Sequence, residues 1–79
     1  MATTPQPATV PGQITVSQRT DGVTLYSVHE VGLVARVEFV DGWQVTRRWG
    51  PDPSQWRTRK VVTREYAENL AKTHAERYL

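Results

Sequence analysis

The chain has 79 residues, with ten Lys or Arg side chains against eight Asp or Glu, which gives a formal net charge of +2. It contains no cysteine, so disulfides and thiolate metal sites are excluded. No apolar run approaches the ~18 residues that a membrane span needs, and the N-terminus lacks the pattern of a secretory signal. We therefore expect one small, soluble, cytoplasmic domain that does not contact a membrane.

The cationic side chains are concentrated in one stretch. Residues 46–64 contain six Lys or Arg side chains and one Asp, whereas residues 19–45 and 65–79 are each more acidic than basic. The positive charge is therefore local, as in proteins that bind an anionic partner through one surface.

The first elements in chain order are a tail and a hairpin. Residues 1–12 are rich in Pro, Thr and Ala without apolar periodicity, which predicts a disordered tail ahead of a single domain at residues 13–79. Alternation of apolar and polar residues over Gln13–Thr20 predicts a strand, and the turn at Thr20-Asp21-Gly22 predicts a return strand over Val23–His29. This hairpin pairs Ile14 with Val28 and Val16 with Tyr26.

The second strand closes onto a third through Glu30-Val31-Gly32. The predicted pairs are Leu25 beside Val37, Val23 beside Phe39, and His29 beside Leu33.

A second Asp-Gly turn, at Asp41-Gly42, predicts the central hairpin between Leu33 and Trp49. A two-residue loop would mix charged and apolar groups on one face. A three-residue loop with Gly42 in a left-handed conformation instead gathers the apolar groups on one face, so we favour it. It pairs Phe39 with Trp43, Val37 with Val45, Ala35 with Arg47, Leu33 with Trp49 and, on the other face, Val34 with Arg48.

The predicted fold class is α+β: a four-stranded antiparallel β-meander with one C-terminal α-helix packed on one face. The predicted core face of the sheet consists of Val23, Leu25, Leu33, Ala35, Val37, Phe39, Trp43, Val45 and Trp49. The Pro-rich residues 50–54 predict a loop. For residues 55–62 the pattern leaves two alternatives, a short fifth strand or an extended approach to the helix.

The helix is predicted from Arg64 to about Tyr78. Thr63 is the expected N-cap, with Glu65 in the first turn and Val62 and Ala67 as a hydrophobic staple. Its apolar stripe contains Ala67, Leu70, Ala71, His74 and Tyr78, with Tyr66 at the edge.

The sequence indicates a non-enzymatic protein without a cofactor or a metal. It has no phosphate-binding glycine loop, nucleophile elbow or zinc motif. His29 and His74 are distant in sequence, and His74 falls on the apolar helix stripe, where a buried core histidine is the commoner interpretation.

The Arg- and Trp-rich stretch is the principal functional candidate. Arginine contacts phosphates and guanine, and aromatic side chains stack on unpaired bases. The alternative is that the tryptophans belong to the core and the arginines only keep a loop soluble. The candidate nucleic-acid-binding residues are Arg36, Gln44, Thr46, Arg47, Arg48, Trp56, Arg57, Arg59, Lys60 and Arg64.

The segments VARVEFVDG, RRW and TREYAENLA, in this order, resemble the arm-type DNA-binding domains of tyrosine recombinases. The chain is also similar to small sheet-plus-helix proteins of phages and mobile elements. The recombinase resemblance implies that the sheet face opposite the helix enters the major groove. It also implies that Arg36, Gln44, Thr46 and Arg48 read bases while Arg57, Arg59 and Lys60 lie near phosphates.

Two functions are therefore predicted. The first is binding of DNA or RNA by the basic segment and the exposed sheet face. The second is a protein-interaction module or inhibitor, with a homodimer as one possibility. It would use a sheet edge or the apolar side chains of Ile14, Val16, Tyr26, Val28 and Val34.

Overall fold

The computed structural model describes residues 13–79, so the tail predicted for residues 1–12 lies outside the described residues. The strands are β1 (Ile14–Gln18), β2 (Thr24–Val28), β3 (Gly32–Phe39), β4 (Trp43–Arg48) and β5 (Trp56–Val61). A 3-10 turn (Pro53–Gln55) precedes β5, and helix α1 (Arg64–Glu76) follows it. All five strands form one antiparallel sheet in sequence order, with α1 packed on one face.

The α+β meander agrees with the prediction, but the strand count of four is wrong. Residues Trp56–Val61 pair with the whole of β4, from Trp43 opposite Val61 to Arg48 opposite Trp56. The reversal occurs in the 3-10 turn, where the Gln55 side chain accepts a hydrogen bond of 3.0 Å from the Asp52 N–H. The proline-rich loop therefore returns the chain alongside β4 and makes β5 an edge strand.

The central hairpin has the predicted register. Phe39 lies opposite Trp43 and Val37 opposite Val45, with a three-residue loop between the strands. The loop differs in one respect, because Asp41 (φ +57°) as well as Gly42 (φ +122°) has positive φ. Asp tolerates the left-handed region better than most residues. The first hairpin is also confirmed, with Ile14 opposite Val28 and Val16 opposite Tyr26.

The predicted pairing of β2 with β3 is wrong. Thr24 lies opposite Val37 and Tyr26 opposite Ala35, after which the register shifts so that Ser27 lies opposite Leu33. The turn begins one residue earlier than predicted, and Glu30 adopts a left-handed φ of +72°. The shift leaves Val34 as the extra residue of a β-bulge, which changes the side-chain alternation along β3.

The bulge changes which side chains form the core. The buried apolar residues are Tyr26, Val28, Val34, Ala35, Val37 and Val45 from the sheet and Ala67, Ala71 and Ala75 from α1. Of the predicted core face, Ala35, Val37 and Val45 are buried and Trp43 packs partly buried against them. Val23 and Leu25 are half-buried outside this cluster, and Leu33, Phe39 and Trp49 are exposed.

The same shift removes the apolar docking face predicted for a protein partner. Tyr26, Val28 and Val34 are buried in the core, and Ile14 packs against it. Only Val16 of the five predicted docking residues is exposed. The other four side chains stabilise the packing of the sheet against α1 and do not form a free surface.

Three fully buried alanines, Ala67, Ala71 and Ala75, let α1 approach the sheet closely. Thr63 is the N-cap, as predicted, and its Oγ1 accepts a hydrogen bond of 3.1 Å from the Tyr66 N–H. The predicted staple is wrong, because Val62 is 89% exposed. Within residues 13–79, no helix has the length and hydropathy to cross a membrane.

Candidate nucleic-acid interface

The predicted binding residues are distributed over both faces of the sheet. We call the face that carries Val45 and packs against α1 the helix face, and we call the opposite one the open face. Pairing across β3, β4 and β5 places Arg36, Gln44, Thr46, Arg48, Trp56 and Lys60 on the open face. Arg47, Arg57 and Arg59 share the helix face, and Arg64 begins α1. The sheet therefore does not bring the ten predicted residues together on one surface.

The open-face side chains near the sheet centre interact with one another. Arg36 forms an ion pair with Glu38 (Nε to Oε2, 3.2 Å), and the Gln44 amide donates to the same carboxylate oxygen at 3.4 Å. The hydroxyl groups of Thr46 and Thr58 are 2.9 Å apart. These predicted base-reading groups thus already have partners within the protein.

Arg48 has a structural role in the folded chain. Its guanidinium donates to the carbonyl oxygens of Gly50 (3.2 Å) and Val31 (3.4 Å). Its own carbonyl oxygen accepts hydrogen bonds from the Tyr78 hydroxyl (2.7 Å) and from His74 Nε2. Arg48 therefore connects two loops and the end of α1 to β4.

The arginines of the helix face lie on neighbouring positions of β4 and β5. Arg47 of β4 is directly opposite Arg57 of β5, and Arg59 follows on the same face. The helix packs mainly on β3 and β4, so Arg57 and Arg59 remain exposed beyond it. Within residues 13–79, no carboxylate oxygen lies within 4.0 Å of these three guanidinium groups, and residues 1–12 contain no Asp or Glu.

Aromatic rings take the place of carboxylates around two of these arginines and around Arg77. The guanidinium carbons of Arg47 and Arg77 are both 5.2 Å from the centre of the Trp49 ring. Arg59 is 5.7 Å from the Tyr66 ring and donates to its hydroxyl at 3.4 Å. A guanidinium held by an aromatic face keeps its charge and can direct N–H groups at a phosphate. We call Arg47, Arg57, Arg59 and Arg77 the arginine cluster.

Arg77 and Tyr66 were not among the predicted site residues. Arg77 follows Arg47 by thirty positions and lies against the same Trp49 ring only because the end of α1 packs beside that ring. No local pattern in the sequence signals this contact. Arg64, in contrast, was predicted, but it forms an ion pair with Glu68 at 2.8 Å and lies 5.7 Å from the Trp43 ring.

The position of Arg47 is unfavourable for an isolated cation. Burial lowers the pKa of its guanidinium, and the positive charge of Arg59 lowers it further. Its Nε atom is buried and has no hydrogen-bond partner among the described residues. Like charges directly opposite each other in a sheet are destabilising, so Arg47 opposite Arg57 lowers the stability of the free protein.

Arg47→Met is expected to raise the free energy of unfolding by about 0.5–1 kcal/mol, because the change removes a partly buried cation and keeps an apolar stem. Urea denaturation at low salt measures the effect. Arg48→Met is the matched control and is expected to lower the stability by about 1 kcal/mol through the loss of its two carbonyl contacts. A loss of stability in Arg47→Met would contradict this account of the cluster.

His74 lies beneath the cluster, 3% exposed, with its ring 4.4 Å from that of Trp49. The Arg48 carbonyl only accepts, so His74 Nε2 carries the proton, and Nδ1 is buried with no partner among residues 13–79. Burial lowers the pKa of His74, and the charges of Arg47 and Arg77 add to this shift, against the opposing hydrogen bond to Arg48. The neutral ring is the stable form in the fold.

We expect the protein to lose stability as the pH falls below about 6.5, where the unfolded chain binds a proton at His74 that the folded chain does not. The free energy of unfolding continues to fall until the pH reaches the folded-state pKa, by at most about 1.4 kcal/mol per pH unit from this group. His74→Gln keeps a hydrogen-bond donor to the Arg48 carbonyl and should remove this pH dependence. Urea denaturation between about pH 5.5 and 7.5 checks it, and equal slopes in both proteins would contradict it.

Within the described part of the chain, no three His, Asp or Glu side chains are grouped so that they could hold a metal ion.

Comparison with models of known protein families, with characterised proteins and with solved structures finds no match to this chain.

Proposed function

We propose that this protein binds nucleic acid, and that the arginine cluster contacts the phosphates. The observation that carries the proposal is the placement of Arg47 directly opposite Arg57, with Arg59 beside them and no carboxylate within 4.0 Å among residues 13–79. Such a grouping costs stability in the free protein. A polyanion removes that cost when it binds, because it provides the missing negative charge and releases its own counterions.

The shape of β5 supports the same proposal. It is an edge strand, and its central residues, from Arg57 to Lys60, are exposed. Arg57 and Arg59 project on the helix face, whereas Lys60 projects on the open face. A phosphate backbone that follows β5 would meet cations on both sides of the strand, with Trp49 and Tyr66 beside the arginines.

The proposed contact surface differs from the one that the recombinase resemblance implies. In that geometry the open face would read bases, but Arg36 and Gln44 would first have to leave Glu38. Contacts to phosphate position a protein on nucleic acid without reading its sequence. We therefore propose that binding is dominated by phosphate contacts and shows little preference among base sequences.

The experiment is a titration of labelled nucleic acid at two salt concentrations. A duplex of ~20 base pairs and a single strand of matching length are each titrated at about 50 and 200 mM salt. For three or four phosphate contacts, the affinity is expected to fall roughly 100-fold over this range. No binding of either probe at the lower salt, or an affinity that does not change with salt, overturns the proposal.

A further inference from the structure

The two edges of the sheet differ in charge. The β5 edge carries Arg57, Arg59 and Lys60 within six residues, which discourages pairing with another strand. The β1 edge, Ile14–Gln18, carries no charged side chain or proline, and four of its five residues are exposed. An uncharged, exposed edge strand is a template for pairing with a further strand.

The backbone groups available on the β1 edge follow from its pairing with β2. The His29 N–H donates to the Gln13 carbonyl, and the Arg19 N–H donates to the Val23 carbonyl. Because hydrogen-bonded and non-bonded pairs alternate in an antiparallel ladder, Thr15 and Ser17 also direct their backbone groups at β2. The N–H and C=O groups of Ile14, Val16 and Gln18 therefore point outward from the sheet.

These outward groups are symmetric about Val16. If two β1 strands pair antiparallel with Val16 opposite Val16, then Ile14 lies opposite Gln18 of the second copy and Thr15 opposite Ser17. Each outward N–H then meets an outward C=O, which gives six hydrogen bonds between the strands. The cross-strand pairs are Val with Val and Thr with Ser, and no like charges face each other within the strand.

We propose that β1 is a homodimer interface at which two copies join their sheets into one ten-stranded antiparallel sheet, with β1 pairing centred on Val16. The helix does not obstruct it, because α1 packs over β2 to β5. The symmetry axis is perpendicular to the sheet, so both helices lie on the same face. This interface is independent of nucleic-acid binding, since the arginine cluster lies at the other end of the strand order.

The alternative edge fits a second copy poorly. Self-pairing of β5 about Thr58 would place Arg57 opposite Arg59 of the second copy on both sides of the axis. Like charges directly opposite across a sheet are destabilising. Repulsion between these arginines therefore opposes a dimer through β5. A second copy is expected to pair through β1 instead.

The test is sedimentation equilibrium of the full chain over a range of protein concentrations. Pairing of two short strands buries little surface, so a dimer with a dissociation constant in the micromolar range is expected. Val16→Lys places two cations opposite each other and is expected to raise this constant at least ~10-fold. Val16 is 55% exposed in the single chain, so the fold should tolerate the change. Val62→Lys is the matched control, at a side chain 89% exposed away from β1, and should leave the dimer unchanged.

Amide hydrogen exchange gives a second readout that needs no variant. The Val16 amide is expected to be protected at high protein concentration and unprotected on dilution, whereas the outward amide of Thr58 on β5 should exchange fast at both. A wild-type chain that remains a monomer at millimolar concentration overturns the proposal. So does a dimer that Val16→Lys does not weaken, or one that protects Thr58 in place of Val16.

Discussion

Reversal of charge at Arg57 and Arg59 is expected to weaken nucleic-acid binding at least ~100-fold at low salt, and to reduce the slope of log affinity against log salt by about two. Both side chains are exposed on the β5 edge, and neither has an acidic partner among residues 13–79. The double variant Arg57→Glu, Arg59→Glu should therefore fold and lose its phosphate contacts. Fluorescence anisotropy with a labelled duplex at several salt concentrations measures both effects.

The matched control changes the net charge by the same amount elsewhere. Arg19 and Lys72 are exposed cations outside the arginine cluster, and Arg19→Glu, Lys72→Glu is expected to weaken binding much less. If both double variants lose affinity equally, the effect comes from net charge alone and the proposed site is wrong. The double variant Arg36→Ala, Gln44→Ala tests the open face. If it loses more nucleic-acid affinity than Arg57→Glu, Arg59→Glu does, the result would favour the major-groove geometry.

Val34→Asp is expected to unfold most of the protein at 25 °C. Val34 is fully buried in the core beneath α1, and a carboxylate there would have to be desolvated without a partner. The free energy of unfolding is expected to fall by about 4 kcal/mol or more, which is comparable to the whole stability of a domain of this size. Circular dichroism with urea denaturation measures the loss.

Leu33→Asp provides the control on the neighbouring residue. Leu33 is 36% exposed, because the bulge after Tyr26 shifts β3 by one position. The free energy of unfolding is expected to fall by less than about 1.5 kcal/mol, since the carboxylate can reach water. Without the bulge, the alternation along the strand would bury Leu33 and expose Val34, and the order of the two effects would be reversed. A larger loss in Leu33→Asp than in Val34→Asp would therefore contradict the observed register.

The local features of the fold could be predicted from the sequence because each depends on neighbouring residues. The Asp-Gly turns and the alternating apolar residues specify two of the four strand pairings of the meander, β1 with β2 (Val16 opposite Tyr26) and β3 with β4 (Val37 opposite Val45). Thr63 specifies where α1 begins, and the spacing of its alanines specifies which face it buries. These choices follow from backbone conformation and side-chain periodicity alone.

Other features depend on contacts between distant segments. The bulge at Val34 buries Val34 and Ala35 together in the core that packs against α1, and the pairing of β5 depends on the free edge of β4. The arginine cluster joins β4, β5 and the end of α1 through Trp49 and Tyr66. The sequence alone established the α+β class, two of the hairpins and a basic segment. Only the tertiary structure decided which arginines lie together with no acidic partner in the described part of the chain, because burial and cross-strand proximity arise when the sheet and helix pack.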